Sequence, residues 1–142
     1  MTIGARLLIK GMEVEPVPPV NVVFYQEGDK VEMQQWLRGR PKDEADQCVD
    51  RLMSLQEHGY ELEFPACEHL EDKIYQLRAR KNKVRLRTLY FFHERVAAVV
   101  THGFQKTTKK TPPAEIEKAK KKRERYQKDP ESHTFNWEPD ND

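Results

Sequence analysis

The chain has 142 residues, a length that suits one compact domain and argues against a two-domain enzyme. Charged residues make up 35% of it and apolar residues 37%, and no apolar run approaches the roughly 18 to 20 residues of a spanning helix, which excludes an integral membrane protein. The net charge of +1 hides three segments of different sign: residues 1–72 carry −8, residues 73–128 carry +14 and residues 129–142 carry −5.

The N-terminal half is predicted to contain an arm, one strand and two helices. Residues 1–20 include several prolines, which remove backbone donors and disfavour helix, so we expect an arm in which Leu7–Ile9 could add a short edge strand. Asn21–Tyr25 is β-branched and aromatic and predicts the first core strand. A short helix then precedes a longer one that starts at Pro41 and ends near Gly59, with an apolar face formed by Ala45, Cys48, Val49, Leu52 and Leu55.

The C-terminal half is predicted to contain a meander of strands and a closing helix. Residues 60–72 lack periodicity and are expected to form a loop. Three antiparallel strands are predicted over residues 74–80, 84–93 and 96–104. The first alternates between a packed and a solvent-facing side, the second has Arg85 and Arg87 on one side together with Leu89 and Phe91, and the valine-rich third is expected to be central. Thr111 is placed as an N-cap, with Pro112 opening a basic helix that reaches about Lys128.

The predicted fold class is therefore α+β, in the order strand, two helices, three-strand meander and helix. The chain divides into an N-terminal arm over residues 1–20, a single domain over residues 21–128 and an acidic flexible tail over residues 129–142. The N-terminus has no credible signal-peptide cleavage site, so the sequence predicts an unsecreted, cytoplasmic protein.

Basic side chains in the meander are the strongest candidates for function. A segment that carries +14 is typical of proteins that bind nucleic acid or another polyanion, and several of its charges fall inside apolar strands rather than on a solvated helix. In a meander, Arg78, Arg85 and Arg87 would converge on one solvent-facing side. The whole constellation comprises Arg78, Arg80, Lys83, Arg85, Arg87, His102, Lys106, Lys109 and Lys110.

A phosphodiester is the natural counterpart of this cluster. Arginine can give a phosphate two parallel hydrogen bonds, and Arg or Lys can stabilise the charge that develops when a ribose 2′-hydroxyl attacks the adjacent phosphorus. That reaction requires no metal and no cofactor. Plainer interpretations stay open, because arginines on an exposed strand are ordinary, and His102 near a strand end can be a hydrogen-bonded structural histidine.

Metal and nucleotide sites are not predicted. Cys48 and Cys67 lie far apart without a second pair at zinc spacing, and His58 and His69 near Cys67 make an incomplete ligand set. The sequence contains no Gly-rich phosphate loop, nucleophile elbow or HExxH motif.

Several motifs between Tyr25 and Tyr126 occur in one order. They are LQEHGYEL at 55–62, YQLR at 75–78, RTLYFF at 87–92, HGFQK at 102–106, then Thr108, Lys110, Thr111 and Pro112, and EIEKA at 115–119. Together they resemble the RelE/ParE superfamily of toxins from type II toxin–antitoxin modules, in particular its HigB-type, phage-related branch. The resemblance covers about seven tenths of the chain.

The resemblance implies a small metal-independent endoribonuclease of RelE-like fold that cleaves messenger RNA, usually on the ribosome. Its implied partner is a helix-turn-helix antitoxin, with which it would form a hetero-oligomer. Arg78 and Arg87 match motif positions and would bind the phosphate, with Lys106 as a further transition-state contact and His102 as a proton donor or acceptor. The residues predicted to hold RNA are Arg80, Lys83, Arg85, Lys109, Lys110 and Tyr126.

Two departures from the branch change the charge of this region. Gln76 stands where the branch has Glu, and Thr107 stands where it has Lys, a charge that Lys109 could supply. The alternative function is a non-cleaving protein of the same fold, either a ParE-like gyrase inhibitor or an inactive remnant that binds nucleic acid or another partner. The basic meander favours RNA, because message and ribosome both present phosphates.

Overall fold

The fold is built around one mixed sheet with helices on both faces. The computed structural model describes residues 7–9, 12–14 and 20–139. The helices are α1 (Glu32–Arg38), α2 (Lys42–His58) and α3 (Pro113–Lys128), with single 3₁₀ turns at Gly59–Glu61 and Glu131–His133. The strands are β1 (Leu7–Ile9), β2 (Met12–Val14), β3 (Asn21–Tyr25), β4 (Cys67–Glu71), β5 (Ile74–Lys81), β6 (Val84–His93), β7 (Ala97–Gln105) and β8 (Thr134–Asn136).

Six strands form the main sheet in the order β4-β5-β6-β7-β3-β8. Strands β4 to β7 are an antiparallel meander, β3 lies parallel to β7, and β8 lies antiparallel to β3. The predicted α+β class, with a RelE-like single domain, is confirmed. No helix in the described ranges is long and apolar enough to cross a membrane.

Two hydrophobic layers hold the helices on the sheet. Because side chains alternate along a strand, β6 sends Leu86 and Tyr90 towards α1 and α2, and Leu89 and Phe91 towards α3. Helix α3 covers its layer with Ile116, Ala119 and Tyr126, which are all buried. The side expected to face solvent is therefore buried at Gln76 and Arg87, whereas Arg80 at the hairpin end is exposed.

Helix α1 lies close against β7 because residue 103 is glycine. A Cβ at Gly103 would lie 2.4 Å from Cε3 of Trp36, far inside van der Waals contact. The missing side chain lets the indole ring rest directly on the strand, which fixes the position of α1.

Residues 60–72 do not form the predicted loop throughout. Strand β4 occupies Cys67–Glu71 and pairs with β5 through a hairpin whose turn residues, Asp72 and Lys73, both have positive φ. Left-handed turns of this kind usually signal themselves by Gly or Asn, and neither is present here. The residue types in the turn therefore did not indicate a hairpin.

The start of the closing helix also differs from the prediction. Helix α3 begins at Pro113, Pro112 occupies the cap position, and no side chain caps the helix. The hydroxyl of Thr111 instead donates a hydrogen bond to Oε1 of Gln76, at 2.8 Å. Thr111 thus ties the helix start to the sheet.

The prediction of a flexible acidic tail is wrong for residues 129–139. Strand β8 pairs with the outer edge of β3, and Phe135 and Trp137 stack on Phe24, with ring centres 6.2 Å and 5.5 Å away. Two aromatic residues in an acidic segment thus cover a strand edge that would otherwise be unpaired. Residues 140–142 lie outside the described residues.

Little of the predicted arm is described. Leu7–Ile9 is a strand, but it pairs with β2 in a separate two-stranded sheet and not with the edge of the main sheet. Arm residues 1–6, 10–11 and 15–19 lie outside the described residues.

Candidate functional site

Basic side chains line up in two cross-strand rows just beyond the start of α3. Arg78 is the Cα partner of Arg87, and Arg80 is the partner of Arg85. The backbone N–H of Lys106 donates to the carbonyl of Arg85 at 2.8 Å and so extends the second row onto the end of β7. The observed register therefore brings Arg78, Arg85 and Arg87 to one face of the sheet, as strand alternation predicted.

The N-terminus of α3 is bonded to the neighbouring cross-strand row, which contains Gln76 and His102. Thr111 binds Gln76, and Glu115 binds His102, and these partners lie on β5 and β7. Because α3 begins at this level, it leaves the face of the sheet beyond Gln76 without a helix above it. The arginine rows lie at that end of the sheet, where Arg80 is exposed and Arg78 is half-buried.

Arg87 is buried rather than solvent-facing. Only 4% of it is exposed, its Nη1 donates to the carbonyl of Leu86 at 3.0 Å, and its buried Nε has no hydrogen-bond partner among the described residues. Burial, together with the like charges of Arg78 and Arg85, lowers the pKa of Arg87 to about 10. The guanidinium is still charged at neutral pH and lacks a full set of acceptors.

Lys106 belongs to the same electrostatic cluster. Burial lowers the pKa of its ammonium, and the nearby charges of Arg87, Arg85 and Arg78 lower it further, while the charge of Glu68 acts in the opposite direction. A positive field of this kind favours an anionic ligand.

A carboxylate that the sequence analysis missed stands beside these cations. Glu68 lies exposed on β4, opposite Gln76, and its Oε1 accepts a hydrogen bond of 2.7 Å from Gln76 Nε2. Its charge acts on both Arg87 and Lys106. Because residues 60–72 were assigned to a loop, no strand register could place this carboxylate in the site.

A cleft of about 360 Å³ lies between β4, the loop after β7 and the start of α3. Two carboxylates of β4 line one side of it, Glu68 and Glu71, and Glu71 is paired with Lys120. Leu70 and Ile116 provide apolar lining. The basic residues and the hydroxyl that line it are Lys106, Lys109, Lys110 and Thr111. Of the predicted RNA-binding residues, the two loop lysines therefore open into the same cleft as Lys106.

Arg78 lies against an exposed aromatic ring. Its Cζ lies 4.8 Å from the ring centre of Phe64, and Arg51 Nε donates to its carbonyl oxygen at 2.8 Å. Phe64 is 68% exposed, which is unusual for a ring of this size. An exposed aromatic ring can stack on a nucleic-acid base, and sequence analysis did not single out Phe64.

The remaining basic candidates lie at the hairpin that joins β5 and β6. Arg80 is exposed, and its Nε donates to the carbonyl of Asn82 at 2.8 Å. Lys83 is exposed in the same turn. Both residues extend the positive surface outwards from the buried arginine.

His102 and Tyr126 are not exposed on this surface. His102 is 1% exposed, with Nε2 at 2.9 Å from Glu115 Oε1 and Nδ1 at 3.0 Å from Thr101 Oγ1. Burial, with the charges of Lys118 and Lys122, lowers the pKa of His102 to about 3, so the ring is neutral. Tyr126 is 3% exposed and packs near the other end of α3.

Metal ligands do not gather anywhere in the described ranges, where no group of three or more His, Cys, Asp or Glu side chains could hold an ion. The two cysteines are buried, and Cys67 Sγ lies 2.8 Å from the hydroxyl of Tyr90. These side chains belong to the core beneath α1 and α2.

Residues 35–124 match the family model described as Phage derived protein Gp49-like (DUF891). The chain belongs to the Gp49-like family. This is a RelE-like toxin family, and membership is compatible with the toxin of a toxin–antitoxin module. No curated protein matches the sequence.

The Gp49-like match contains the entire cluster. It spans both arginine rows, Glu68, the loop lysines and most of α3, whereas β3 and β8 lie outside it. The family-matched part of the chain is thus the part that carries the meander and the positive cleft.

Proposed function

We propose that the protein is the toxin of a type II toxin–antitoxin module, of the HigB-type branch, and that it cleaves messenger RNA on the ribosome. The observation that carries the proposal is the buried guanidinium of Arg87, which faces the like charges of Arg78 and Arg85. A pKa lowered from 12.5 to about 10 corresponds to a cost of about 3 kcal/mol for the charged form. A bound phosphate would offset that cost.

The cluster suits cleavage by a ribose 2′-hydroxyl. Arg78 and Arg87 would bind the non-bridging oxygens of the scissile phosphate and stabilise the extra negative charge of the pentacovalent state. Lys106 would contact the same phosphate from the end of β7. The reaction needs no metal, because the guanidinium and ammonium groups supply the positive charge.

The surrounding lysines would hold the message and the ribosome. Lys109 and Lys110 lie in the loop before α3, and the helix N-terminus adds a partial positive charge. Arg80, Lys83 and Arg85 would follow the phosphate backbone away from the cleavage point. Because His102 is buried and neutral, we assign it to anchoring α3 through Glu115 and to no proton transfer.

The partner of this toxin would be a helix-turn-helix antitoxin. Segment 73–128 carries +14, and an antitoxin with acidic groups could cover the positive cleft and exclude RNA. Both proteins would act in the cytoplasm, where translated messages are found.

Induced expression followed by mapping of RNA ends tests the proposal. Codon-phased cuts in translated messages are expected from the wild-type protein. Arg87→Ala should fold and lose on the order of 10² to 10³ in cleavage rate, because one contact to the developing charge is removed. Arg125→Ala, which removes an exposed arginine on α3, is the matched control and should cleave normally.

The outcomes separate the two functions. Intact RNA together with DNA damage would support the gyrase-inhibiting alternative and contradict the ribonuclease. An Arg87→Ala protein that folds and cuts at the wild-type rate would contradict the assignment of Arg87.

A further inference from the structure

We propose that Glu68 is the catalytic residue that accepts the proton of the attacking 2′-hydroxyl, an inference that rests on the proposed RNA cleavage. The guanidinium of Arg87 is charged at neutral pH, and a charged guanidinium or ammonium group cannot take up a proton. Cleavage by a 2′-hydroxyl nevertheless requires a proton acceptor near the phosphate. A carboxylate is a suitable group if the fold directs it at that point.

The position of Glu68 meets this requirement. It is exposed on β4 and lines the same cleft as Lys106. Across the strands, the row through Glu68 and Gln76 is followed directly by the row through Arg78 and Arg87. A phosphate bound by the two arginines would therefore have Glu68 on one side and Lys106 on another.

Two hydrogen bonds hold the carboxylate in place. Gln76 is 1% exposed, and its Nε2 donates to Glu68 Oε1 at 2.7 Å. Its Oε1 accepts the hydroxyl of Thr111 at 2.8 Å, which fixes the orientation of the amide. The chain from Thr111 to Gln76 binds one carboxylate oxygen and leaves the other to meet substrate. Gln76 and Thr111 act as positioning residues, since an amide cannot accept the proton itself.

The proposed step balances in protons and bonds. The O2′–H proton passes to Glu68 while the O2′–P bond forms, and the P–O5′ bond then breaks. The departing O5′ takes a proton from the ammonium of Lys106, which gives a 2′,3′-cyclic phosphate and a 5′-hydroxyl. Glu68 and Lys106 afterwards return to their starting states by exchange with water.

The surroundings of Lys106 support its part in this step. Burial and the charges of Arg87, Arg85 and Arg78 lower the pKa of its ammonium, and a group with a lowered pKa gives up its proton more readily. Arg78 and Arg87 hold the phosphate oxygens during the step.

A purely electrostatic role for Glu68 is the competing explanation. In that case, the carboxylate would only relieve repulsion among the arginines, and its removal would alter stability or RNA affinity without a specific loss in the chemical step. Rate and affinity therefore have to be measured separately.

The test uses the full-length protein with ribosomes that carry a message with a mapped cleavage site. Single-turnover rates are measured at saturating complex for wild type, Glu68→Gln and the control Glu57→Gln, which removes an exposed carboxylate on α2. Affinity is measured with the same message carrying a 2′-deoxy nucleotide at the cleavage site. Thermal unfolding establishes that each variant folds, and Glu68→Ser replaces the amide variant if that one does not.

Glu68→Gln should lose on the order of 10² to 10³ in single-turnover rate. Its affinity for the 2′-deoxy message should be unchanged or higher, because a negative charge has been removed, and Glu57→Gln should match wild type. A Glu68→Gln rate within threefold of wild type would overturn the inference and leave RNA cleavage intact, as would a loss confined to affinity. If the wild-type protein cuts no RNA, the proposed function itself fails, which is a separate result.

Discussion

Glu32→Gln should destabilise the protein by about 3 kcal/mol, because the Glu32 carboxylate joins α1 to α3. Its Oε1 accepts a hydrogen bond of 2.8 Å from Lys122, and its Oε2 accepts one from Lys118. Lys122 is 8% exposed and also donates to the carbonyl of Thr101 at 3.0 Å. Neutralising Glu32 would leave a nearly buried ammonium without its counter-charge.

The magnitude follows from the pKa of Glu32. Burial acts to raise this pKa, but the hydrogen bonds from Lys118 and Lys122 outweigh it and lower the pKa from 4.5 to about 2. At about 1.4 kcal/mol for each pH unit, the difference corresponds to roughly 3 kcal/mol in the free energy of unfolding. Removing one partner of a buried ion pair typically costs about 3 to 5 kcal/mol, and the exposure of Lys118 favours the lower end.

The pH dependence of unfolding provides a second test of the Glu32 ion pair. The folded-state pKa lies below the unfolded value, so the stabilisation is complete above pH 4.5 and is lost as the pH falls towards 2. The difference in unfolding free energy between wild type and Glu32→Gln should therefore shrink to about half at pH 3.

Urea unfolding at pH 6 and pH 3 measures both effects. The control is Asp46→Asn, which weakens an exposed pair with Lys42 and should cost about 0.5 kcal/mol or less. A difference below about 1 kcal/mol for Glu32→Gln at pH 6 would refute the reasoning. A difference that does not shrink on acidification would also refute it.

Three further substitutions test contacts that shape the fold. Gly103→Ala should cost about 1 to 3 kcal/mol in urea unfolding because of its contact with Trp36, and a Trp36→Leu background should remove most of that cost. Lowering the pH from 6.5 to 5 should cost about 2 kcal/mol through the buried neutral His102, since the unfolded state takes up the proton there, and His102→Gln should lose this part of the pH dependence. Trp137→Ala should cost about 2 kcal/mol through its stacking on Phe24, with RNA cleavage unchanged in folded protein, and unaltered stability would contradict packing of the C-terminal strand.

Local patterns were sufficient to predict most of the framework. The alternation along β5, β6 and β7 and the spacing in α2 reflect burial on one side of each element, which is a property of the element itself. Strand β4 was missed because Asp72 and Lys73 make a left-handed turn without glycine. Strand β8 was missed because acidic composition suggested a solvated tail, whereas Phe135 and Trp137 decide its packing.

The candidate site could be predicted only in part, because some of its geometry depends on contacts between elements. Strand alternation placed Arg78, Arg85 and Arg87 on one face, as the structure shows. The burial of Arg87 depends on how neighbouring elements enclose it, which a single sequence does not encode locally. Glu68 could not be placed, since its position beside Gln76 exists only once β4 pairs with β5.

Because β3 pairs with β7, the sheet can be completed only after two strands that lie far apart in the sequence have both been synthesised. Asn21 lies beside Ala97, so β3 leaves the ribosome long before the strand that it pairs with, and β8, its other neighbour, emerges later still. A nascent chain therefore carries the apolar segment around Phe24 without its partner strands until β7 and β8 have emerged, and chains that stop before β7 are candidates for aggregation. The same order means that Arg87, Lys106 and α3 come together only after α3 has left the ribosome, so shorter nascent chains lack the buried guanidinium and the cleft beside it.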